Sequence, residues 1–149
     1  MKKNLHIYVR VSTEIQMTEG SGLRNQIDQG LKVAEKLGFN PIIHNEGSRS
    51  SSSDNINERP VLSKLLSDID DGKIQNVWCF NQDRLSRNSD VWFTIRRVFK
   101  LNELMLYVGE GVKYDLSDKM DDFIFGIISE VTKYDQSIRT DRLKRGKLQ

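Results

Sequence analysis

Residues 5–12 read Leu-His-Ile-Tyr-Val-Arg-Val-Ser, and this stretch decides the fold. Its apolar residues alternate with other residues, which is the period of a β-strand that presents two different faces. A glycine-containing stretch at residues 18–22 interrupts the alternation. Apolar residues then recur at helical spacing from Leu23 onward, and Gly38 marks the end of the predicted helix. A strand followed by a helix is the first unit expected of an α/β fold.

The same alternation of strand and helix continues through the next seventy residues. The later elements predicted by periodicity are a strand at 39–44 with Pro41 at or near its start, a helix at 61–69 followed by Gly72, a buried strand at 74–80, a helix at 91–101 and a strand at 104–108. We therefore expect a small α/β domain with a mostly parallel sheet of about four strands, flanked by helices on both faces.

One segment of this region lacks the pattern. Residues 45–58 are polar, contain Ser-Arg-Ser-Ser-Ser-Ser and show no apolar periodicity. This composition predicts a mobile loop between the second strand and the second helix.

The last segment carries one continuous apolar stripe. Its apolar residues, from Met120 to Ile138, fall at offsets 0, 3, 4, 7, 8, 11, 14 and 18. This spacing predicts a helix of about 25 residues, roughly 35–40 Å long at a rise of about 1.5 Å per residue. Such a helix is longer than the domain, whose radius of gyration should be roughly 15 Å. We favour an oligomer interface for the stripe; the alternative is a helix packed wholly on its own core.

Length and composition bound the class of protein. The chain has 149 residues, of which 37% are hydrophobic and 30% charged, as expected for one globular domain. It has no run of about 20 apolar residues that could span a membrane. Its single cysteine, Cys79, excludes an internal disulfide and suits a reducing cytoplasm.

The net charge of +2 is unevenly distributed. Residues 139–149 contain five basic residues and one acidic residue. This end of the chain could contact a polyanion, or its cations could simply suit the end of a helix. Charge alone leaves both interpretations open.

Two polar groups follow the predicted strands. Tyr8, Arg10 and Ser12 share one face at the carboxyl end of the first strand, although a serine there is often only a helix cap. Asp83-Arg84-Leu85-Ser86-Arg87 follows the buried strand, where two arginines could clamp a phosphate or could form a surface loop with a local ion pair. Because the carboxyl ends of parallel strands meet at one edge, we expect both groups in one crevice.

The order of these motifs resembles a known family. Tyr-Val-Arg-Val-Ser-Thr at residues 8–13, Glu-Arg-Pro at 58–60 and Asp-Arg-Leu-Ser-Arg at 83–87 are similar to the serine recombinases, which include resolvases, invertases and large serine integrases. The resemblance runs from about Leu5 to the end of the chain. The length of the segment at residues 45–58 resembles that of the large integrase or transposon-type branch more than that of the small resolvases.

The resemblance implies a role for each matching residue. Ser12 matches the nucleophile that attacks a DNA phosphodiester, becomes joined to a 5′ phosphate and later allows strand exchange and religation. The arginines that match positions around this phosphate are Arg10, Arg84 and Arg87, and Arg59 matches another active-site arginine of the family. Asp83 matches the motif aspartate, which would orient an arginine or transfer a proton. The positions that match supporting or DNA-binding residues are Tyr8, Gln16, Gln26 and Arg142.

The resemblance also implies partners and a domain plan. We expect double-stranded DNA as substrate and a homo-oligomer, dimeric or tetrameric when active, held by the long helix. The expected plan is an α/β core at about 1–117 and an oligomerisation helix at about 118–145, with a DNA-binding part absent from this chain. No metal-ligand spacing or nucleotide-binding glycine motif is visible, so we expect neither metal nor cofactor. We expect no membrane partner and a cytoplasmic location.

Two other functions compete with this interpretation. Departures from the family pattern on the long helix, such as Asp135-Gln136, would suit a non-catalytic accessory or DNA-binding protein of the same fold. A small-molecule phosphate enzyme could use the same crevice, but it would need neither the basic end nor the apolar stripe.

Overall fold

The computed structural model describes residues 2–12, 22–49, 59–85, 89–128 and 130–131, with the side chains in these ranges except those at 12, 48, 49, 82, 83 and 89. The elements in chain order are β1 (Asn4–Ser12), α1 (Leu23–Leu37), β2 (Asn40–Arg49), α2 (Pro60–Asp70), β3 (Asn76–Cys79), α3 (Gln82–Leu85), α4 (Ser89–Leu101), β4 (Met105–Val108), β5 (Val112–Asp115) and α5 (residues 119–128).

The strands form one sheet in the order β2-β1-β3-β4-β5. The first four strands are mutually parallel where they pair, and β5 runs antiparallel to β4. The predicted α/β class with a mostly parallel sheet is therefore confirmed. Parallel strands connected by helices place their carboxyl ends along one edge, which is where ligands bind in open sheets of this kind.

The sheet has one strand more than the four that periodicity predicts. Strand β5 is only four residues long, and two of them, Lys113 and Asp115, are charged. A strand this short has too few residues to show a period of two, and it lies at the edge of the sheet, where polar side chains are tolerated.

The predicted loop at 45–58 is wrong for its first five residues. Strand β2 continues to Arg49, and the backbones of Ser48 and Arg49 pair with Val11 and Ser12 of β1. Backbone pairing with a long neighbouring strand extends β2 although its side chains are polar. Proline has no N–H to donate to a neighbouring strand, and Pro41 is tolerated near the start of β2 because β2 lies at the edge of the sheet.

Alternate residues of the sheet enter two apolar layers. The layer beneath α1 contains Leu5, Ile7, Val9, Val33, Ala34, Trp78 and Tyr107. The layer beneath α2, α4 and α5 includes Tyr8, Leu62, Leu65, Ile69, Val77, Cys79, Trp92, Ile95, Phe99, Leu106 and Phe125. The alternation at residues 5–9 thus divides between two cores, which keeps β1 buried on both faces.

A glycine allows α1 to approach the sheet closely. A Cβ atom added to Gly30 would lie 2.6 Å from Ile7 Cγ2 and 3.1 Å from Trp78 Cε3. Both distances are shorter than ordinary carbon contacts, so the side chains of β1 and β3 occupy the space that any larger residue would need.

The C-terminal helix is anchored through one aromatic side chain. Phe125 is fully buried, with ring centroids 5.4 Å from Trp92 and 4.9 Å from Tyr114. Asp122 accepts hydrogen bonds from Arg96 Nη2 (2.6 Å) and Lys100 Nζ (3.3 Å). Burial alone would raise the pKa of Asp122, but the hydrogen bonds and charges of these two cations lower it. The carboxylate therefore stays ionised and links α5 to α4 by ion pairs.

The apolar stripe of this helix faces outward as far as it is described. Its exposed members are Met120, Phe123, Ile124, Ile127, Ile128 and Val131. Phe125, which lies outside the predicted stripe, is the residue that enters the core. Tyr134 and Ile138 lie outside the described residues. Within the described ranges, none of the helices is both long and apolar enough to cross a membrane.

Replacing Gly30 with alanine should destabilise the domain by about 1–3 kcal/mol, the usual cost of overpacking a filled site. The matched control is Gly126→Ala in α5, where the nearest neighbour of the new Cβ would be Arg96 Nη2 at 3.6 Å. That control should be stabilising by about 0.5–1 kcal/mol, because it only removes a helical glycine. Urea denaturation measures both free energies of unfolding. Equal effects for the two variants would disprove the close approach of α1 to the sheet.

Two histidines of neighbouring strands share a hydrogen bond between His6 Nδ1 and His44 Nε2, which are 2.9 Å apart. Burial, and secondly the nearby charge of His44, lowers the pKa of His6 from 6.5 to about 4, while Asp68 on α2 acts in the opposite direction. Burial also lowers the pKa of His44. The folded domain therefore favours the neutral form of both rings.

Because these pKa values are lower in the folded than in the unfolded chain, stability should be fully present above about pH 6.5 and should fall as the pH drops toward 4. The His6→Gln variant should lose less stability between pH 7 and pH 4.5 than the wild type. Urea denaturation at the two pH values measures the difference. An equal loss in both proteins would contradict the assigned pKa of His6.

Candidate active site

Five of the predicted polar residues, including Gln26 of α1, meet at the carboxyl edge of the sheet. Tyr8 and Arg10 lie on the second half of β1, Arg59 precedes the first turn of α2, and Arg84 lies in the short helix α3 that follows β3. Residues far apart in the chain are brought together because β1 and β3 are neighbours in the sheet.

Two of these side chains share one acceptor, the backbone carbonyl of Arg84. Arg59 Nη2 donates a hydrogen bond to it over 2.8 Å, and Arg10 Nε donates another over 3.2 Å. The guanidinium carbon of Arg84 itself lies 5.8 Å from the centre of the Phe80 ring. The guanidinium groups of Arg10 and Arg59 therefore share one acceptor on Arg84, and we call Arg10, Arg59 and Arg84 the arginine cluster.

The arginine cluster is buried. The exposed fractions of Arg10, Arg59 and Arg84 are 3%, 0% and 4%. Buried charged groups are costly to desolvate unless other groups compensate them. The planar fork of each guanidinium matches the oxygens of a bound oxyanion such as a phosphate.

Gln26 holds the backbone of Arg10 in place. Its side chain is fully buried; Oε1 accepts a hydrogen bond from the Arg10 N–H over 3.3 Å, and Nε2 donates one to the Arg10 carbonyl over 3.0 Å. Strand β3 pairs with β1 only at His6 and Ile7, so it offers no backbone partner to Arg10. The side-chain amide of Gln26 takes the place of that partner by bonding both the N–H and the carbonyl of Arg10.

Tyr8 connects the arginine cluster to an acid that the sequence did not indicate. Arg59 Nη2 donates to Tyr8 Oη over 2.7 Å, and the Tyr8 hydroxyl donates to Glu46 Oε1 over 3.1 Å. Burial, more than the charge of Glu46, raises the pKa of Tyr8 above its usual range, although Arg59 acts in the opposite direction. The hydroxyl thus stays protonated near neutral pH and serves as a hydrogen-bonding link.

The sequence does not identify Glu46 as a site residue, because Glu46 lies in the polar stretch at 45–58, which its composition predicts to be a loop. Its one local signal is the glycine that follows it, and an acid before a glycine occurs in many turns. Its carboxylate also accepts hydrogen bonds from the backbone of α2. A contact between a strand side chain and the start of a helix leaves no pattern in the sequence.

The remaining predicted residues fall partly or wholly outside the described part of the chain. Ser12 is the last residue of β1 and its backbone pairs with Arg49, but its side chain is outside the described set, as is that of Asp83 in α3. Gln16, Arg87 and Arg142 lie outside it entirely. In the described ranges, no group of three or more histidine, cysteine, aspartate or glutamate side chains is arranged to hold a metal ion.

Comparison of sequences gives a family match over nearly the whole chain. The sequence model of the family described as "Resolvase, N terminal domain" matches residues 5–149. A protein of Bacillus subtilis (strain 168) whose name assigns it to the DNA recombinases is 40% identical over 81 residues. The matched region is 54% of this chain but only 15% of the relative, so the relative is a much longer protein.

Solved structures give a matching fold. The crystal structure of the N-terminal catalytic domain of TP901-1 integrase has a TM-score of 0.65 and 27% identity, covering 91% of this chain and 98% of that one. A resolvase family site-specific recombinase from Streptococcus pneumoniae has a TM-score of 0.63 and 23% identity, covering 99% of both chains. At that lower identity, the likeness shows the fold alone.

We expect the chain to bind inorganic phosphate at the arginine cluster. Replacing Arg84 with alanine should weaken this binding by about tenfold to a hundredfold, because it removes charge-assisted hydrogen bonds from a buried site. The matched control is Arg97→Ala, which removes an exposed arginine of α4 and should leave the affinity unchanged. Titration followed by NMR shifts of the arginine Nε–Hε groups measures both. Binding that is equal in the two variants would contradict this site.

Proposed function

The chain belongs to the resolvase N-terminal domain family of serine recombinases, and from this premise we propose that it cuts and rejoins DNA through Ser12. The substrate of the proposed reaction is a DNA phosphodiester. The product of the first step is a 5′-phosphoserine link and a DNA end with a 3′ hydroxyl, as the resemblance at residues 8–13 implies.

The observation that carries the proposal is the arginine cluster at the end of β1. Two guanidinium groups bond one carbonyl oxygen and a third lies on the same residue, all nearly inaccessible to water. Ser12 follows Arg10 by two residues on the same strand. A phosphate beside Ser12 would therefore be close to positive charge that is already held in place, which stabilises a transition state more than mobile charge does.

The proposed chemistry is a direct exchange of phosphate oxygens. The Oγ atom of Ser12 bonds to phosphorus while the bond from phosphorus to the 3′ oxygen breaks; the serine loses its proton and the 3′ oxygen gains one. Arg10, Arg59, Arg84 and Arg87 would stabilise the charge on the five-coordinate phosphorus and favour the serine alkoxide. Reversal of the step by another 3′ hydroxyl rejoins the strand, so no ATP is consumed.

The other predicted residues support this step. Asp83 would orient an arginine or transfer a proton. Tyr8 and Gln26 support the proposal by their contacts with Arg59 and with the Arg10 backbone. Gln16 and Arg142 would contact DNA, the latter in the basic segment at 139–149.

The proposed assembly uses the C-terminal helix. The described members of the apolar stripe are exposed, which supports a homo-oligomer that buries them. In this plan, residues of about 1–117 form the catalytic core and about 118–145 the oligomerisation helix, and a further segment of the whole protein reads the DNA sequence. The single cysteine, Cys79, leaves no internal disulfide, in keeping with the proposed cytoplasmic location.

Replacing Ser12 with alanine should abolish covalent attachment to DNA without unfolding the chain, because only the nucleophile is removed. The test uses the full-length protein in cells that carry its recombination site, followed by nuclease digestion and mass spectrometry of nucleotide-linked peptides. The peptide containing Ser12 should carry the nucleotide in the wild type and lack it in the variant.

The control variant is Ser67→Ala, which removes an exposed hydroxyl of α2 and should keep the adduct. A DNA adduct that persists in the Ser12→Ala protein would disprove the assigned nucleophile. Absence of any adduct from the wild type would favour an accessory protein of the same fold.

A further inference from the structure

We propose that Glu46 is a positioning residue that sets both the backbone and the guanidinium of Arg59 for the phosphate. The inference rests on the proposed function, because it concerns how one arginine of the same site is held. It assigns a role to an acid of β2 that lies in the stretch predicted to be a loop.

A bulge in β2 directs Glu46 into the site. Val9 pairs with Asn45 and Arg10 with Gly47, so Glu46 is the additional residue, with no partner in the β1–β2 register. Gly47 has a φ of 80°, a left-handed conformation that favours glycine, and its N–H donates to Asn45 Oδ1 over 2.8 Å. Bulges re-aim a side chain relative to its strand, and here the result is a carboxylate that is only 4% exposed.

Glu46 bonds the first turn of α2. Arg59 occupies the N-cap of this helix and makes no side-chain cap bond there, and Pro60 has no N–H to satisfy. The N–H groups of Val61 and Leu62 donate to Glu46 Oε2 and Oε1, each over 3.0 Å. The carboxylate thus replaces the cap that an arginine cannot provide, and it fixes the start of α2 where the backbone of Arg59 lies.

Glu46 also orients the guanidinium of Arg59 through Tyr8. Because Glu46 Oε1 accepts a hydrogen bond from the Tyr8 hydroxyl, the lone pairs of Tyr8 Oη remain available to Arg59 Nη2, 2.7 Å away. The same nitrogen donates to the Arg84 carbonyl. One carboxylate therefore restrains Arg59 at its backbone and at its charged end.

A simpler role for Glu46 would be to neutralise part of the positive charge. The two roles predict opposite changes in phosphate affinity when Glu46 is replaced. If Glu46 only offsets charge, its removal should strengthen phosphate binding; if it positions Arg59, its removal should weaken binding.

The experiment measures the affinity of the whole chain for inorganic phosphate in Glu46→Gln and Tyr8→Phe variants. Glutamine keeps the shape of the Glu46 side chain but replaces one acceptor oxygen with a donor NH₂ group. That group would face the Tyr8 hydroxyl or the N–H groups of α2, which are already donors. We expect Glu46→Gln to weaken phosphate binding by about threefold to tenfold, the worth of one hydrogen bond, and Tyr8→Phe to weaken it similarly. The matched control is Glu35→Gln, which removes one exposed negative charge of α1 and should change nothing.

Two further readouts separate positioning from a general loss of structure. The Arg59 Nε–Hε group should become more mobile in NMR relaxation in both variants, while that of exposed Arg97 stays the same. Amide hydrogen exchange at Val61 and Leu62 should accelerate in Glu46→Gln only, because Tyr8→Phe leaves the bonds from Glu46 to α2 intact. If Glu46→Gln fails to fold, the Tyr8→Phe result alone decides.

Unchanged or tighter phosphate binding in Glu46→Gln, or unchanged binding and Arg59 mobility in Tyr8→Phe, would overturn the role of Glu46 while the proposed function stands. A wild-type chain that binds no phosphate at the arginine cluster would overturn both. Failure of the Ser12 adduct test with phosphate binding intact would remove the reaction and leave the positioning of Arg59 supported.

Discussion

The site depends on the carbonyl oxygen of Arg84, which accepts hydrogen bonds from two other buried arginines. Like charges repel, so guanidinium groups approach each other only where shared acceptors hold them. One backbone oxygen provides such an acceptor without adding a negative charge that would compete with a phosphate. The position of this oxygen requires α3 to begin shortly after β3, and β3 to lie beside β1. The sheet order and the chemistry of the site are therefore linked at one atom.

Much of the fold could be predicted from residues 5–12 and the periodic segments that follow. Alternation in β1, helical spacing up to Leu37 and the apolar run before Phe80 are consequences of burial, which acts on side chains and is visible in their order. The convergence of Arg10 with Arg84 follows from the same topology, because parallel strands end at one edge. The position of Arg59 beside them was implied by family resemblance, since an arginine before a helix has no local signal of its own.

The parts that could not be predicted depend on the backbone. The extension of β2 to Arg49 comes from pairing with β1, and β5 exists because Val112–Asp115 follow a tight turn beside β4. Neither shows an apolar period. Glu46 belongs to this class: a bulge, which leaves no mark on hydrophobic spacing, places its carboxylate between a tyrosine and a helix start. The side chains of Ser12 and Asp83 lie outside the described set, and their roles remain predictions.

The division of β1 between two apolar layers has a spectroscopic consequence. The chain contains two tryptophans, and each belongs to a different layer: Trp78 of β3 packs beneath α1, and Trp92 of α4 packs in the layer on the other face of the sheet. The indole of Trp78 donates a hydrogen bond to the Gly109 carbonyl over 2.8 Å, whereas Trp92 lies against the ring of Phe125. Each face of the sheet thus has its own intrinsic fluorophore in a distinct environment. The emission of Trp92 reports on the docking of α5, and that of Trp78 reports on the opposite face.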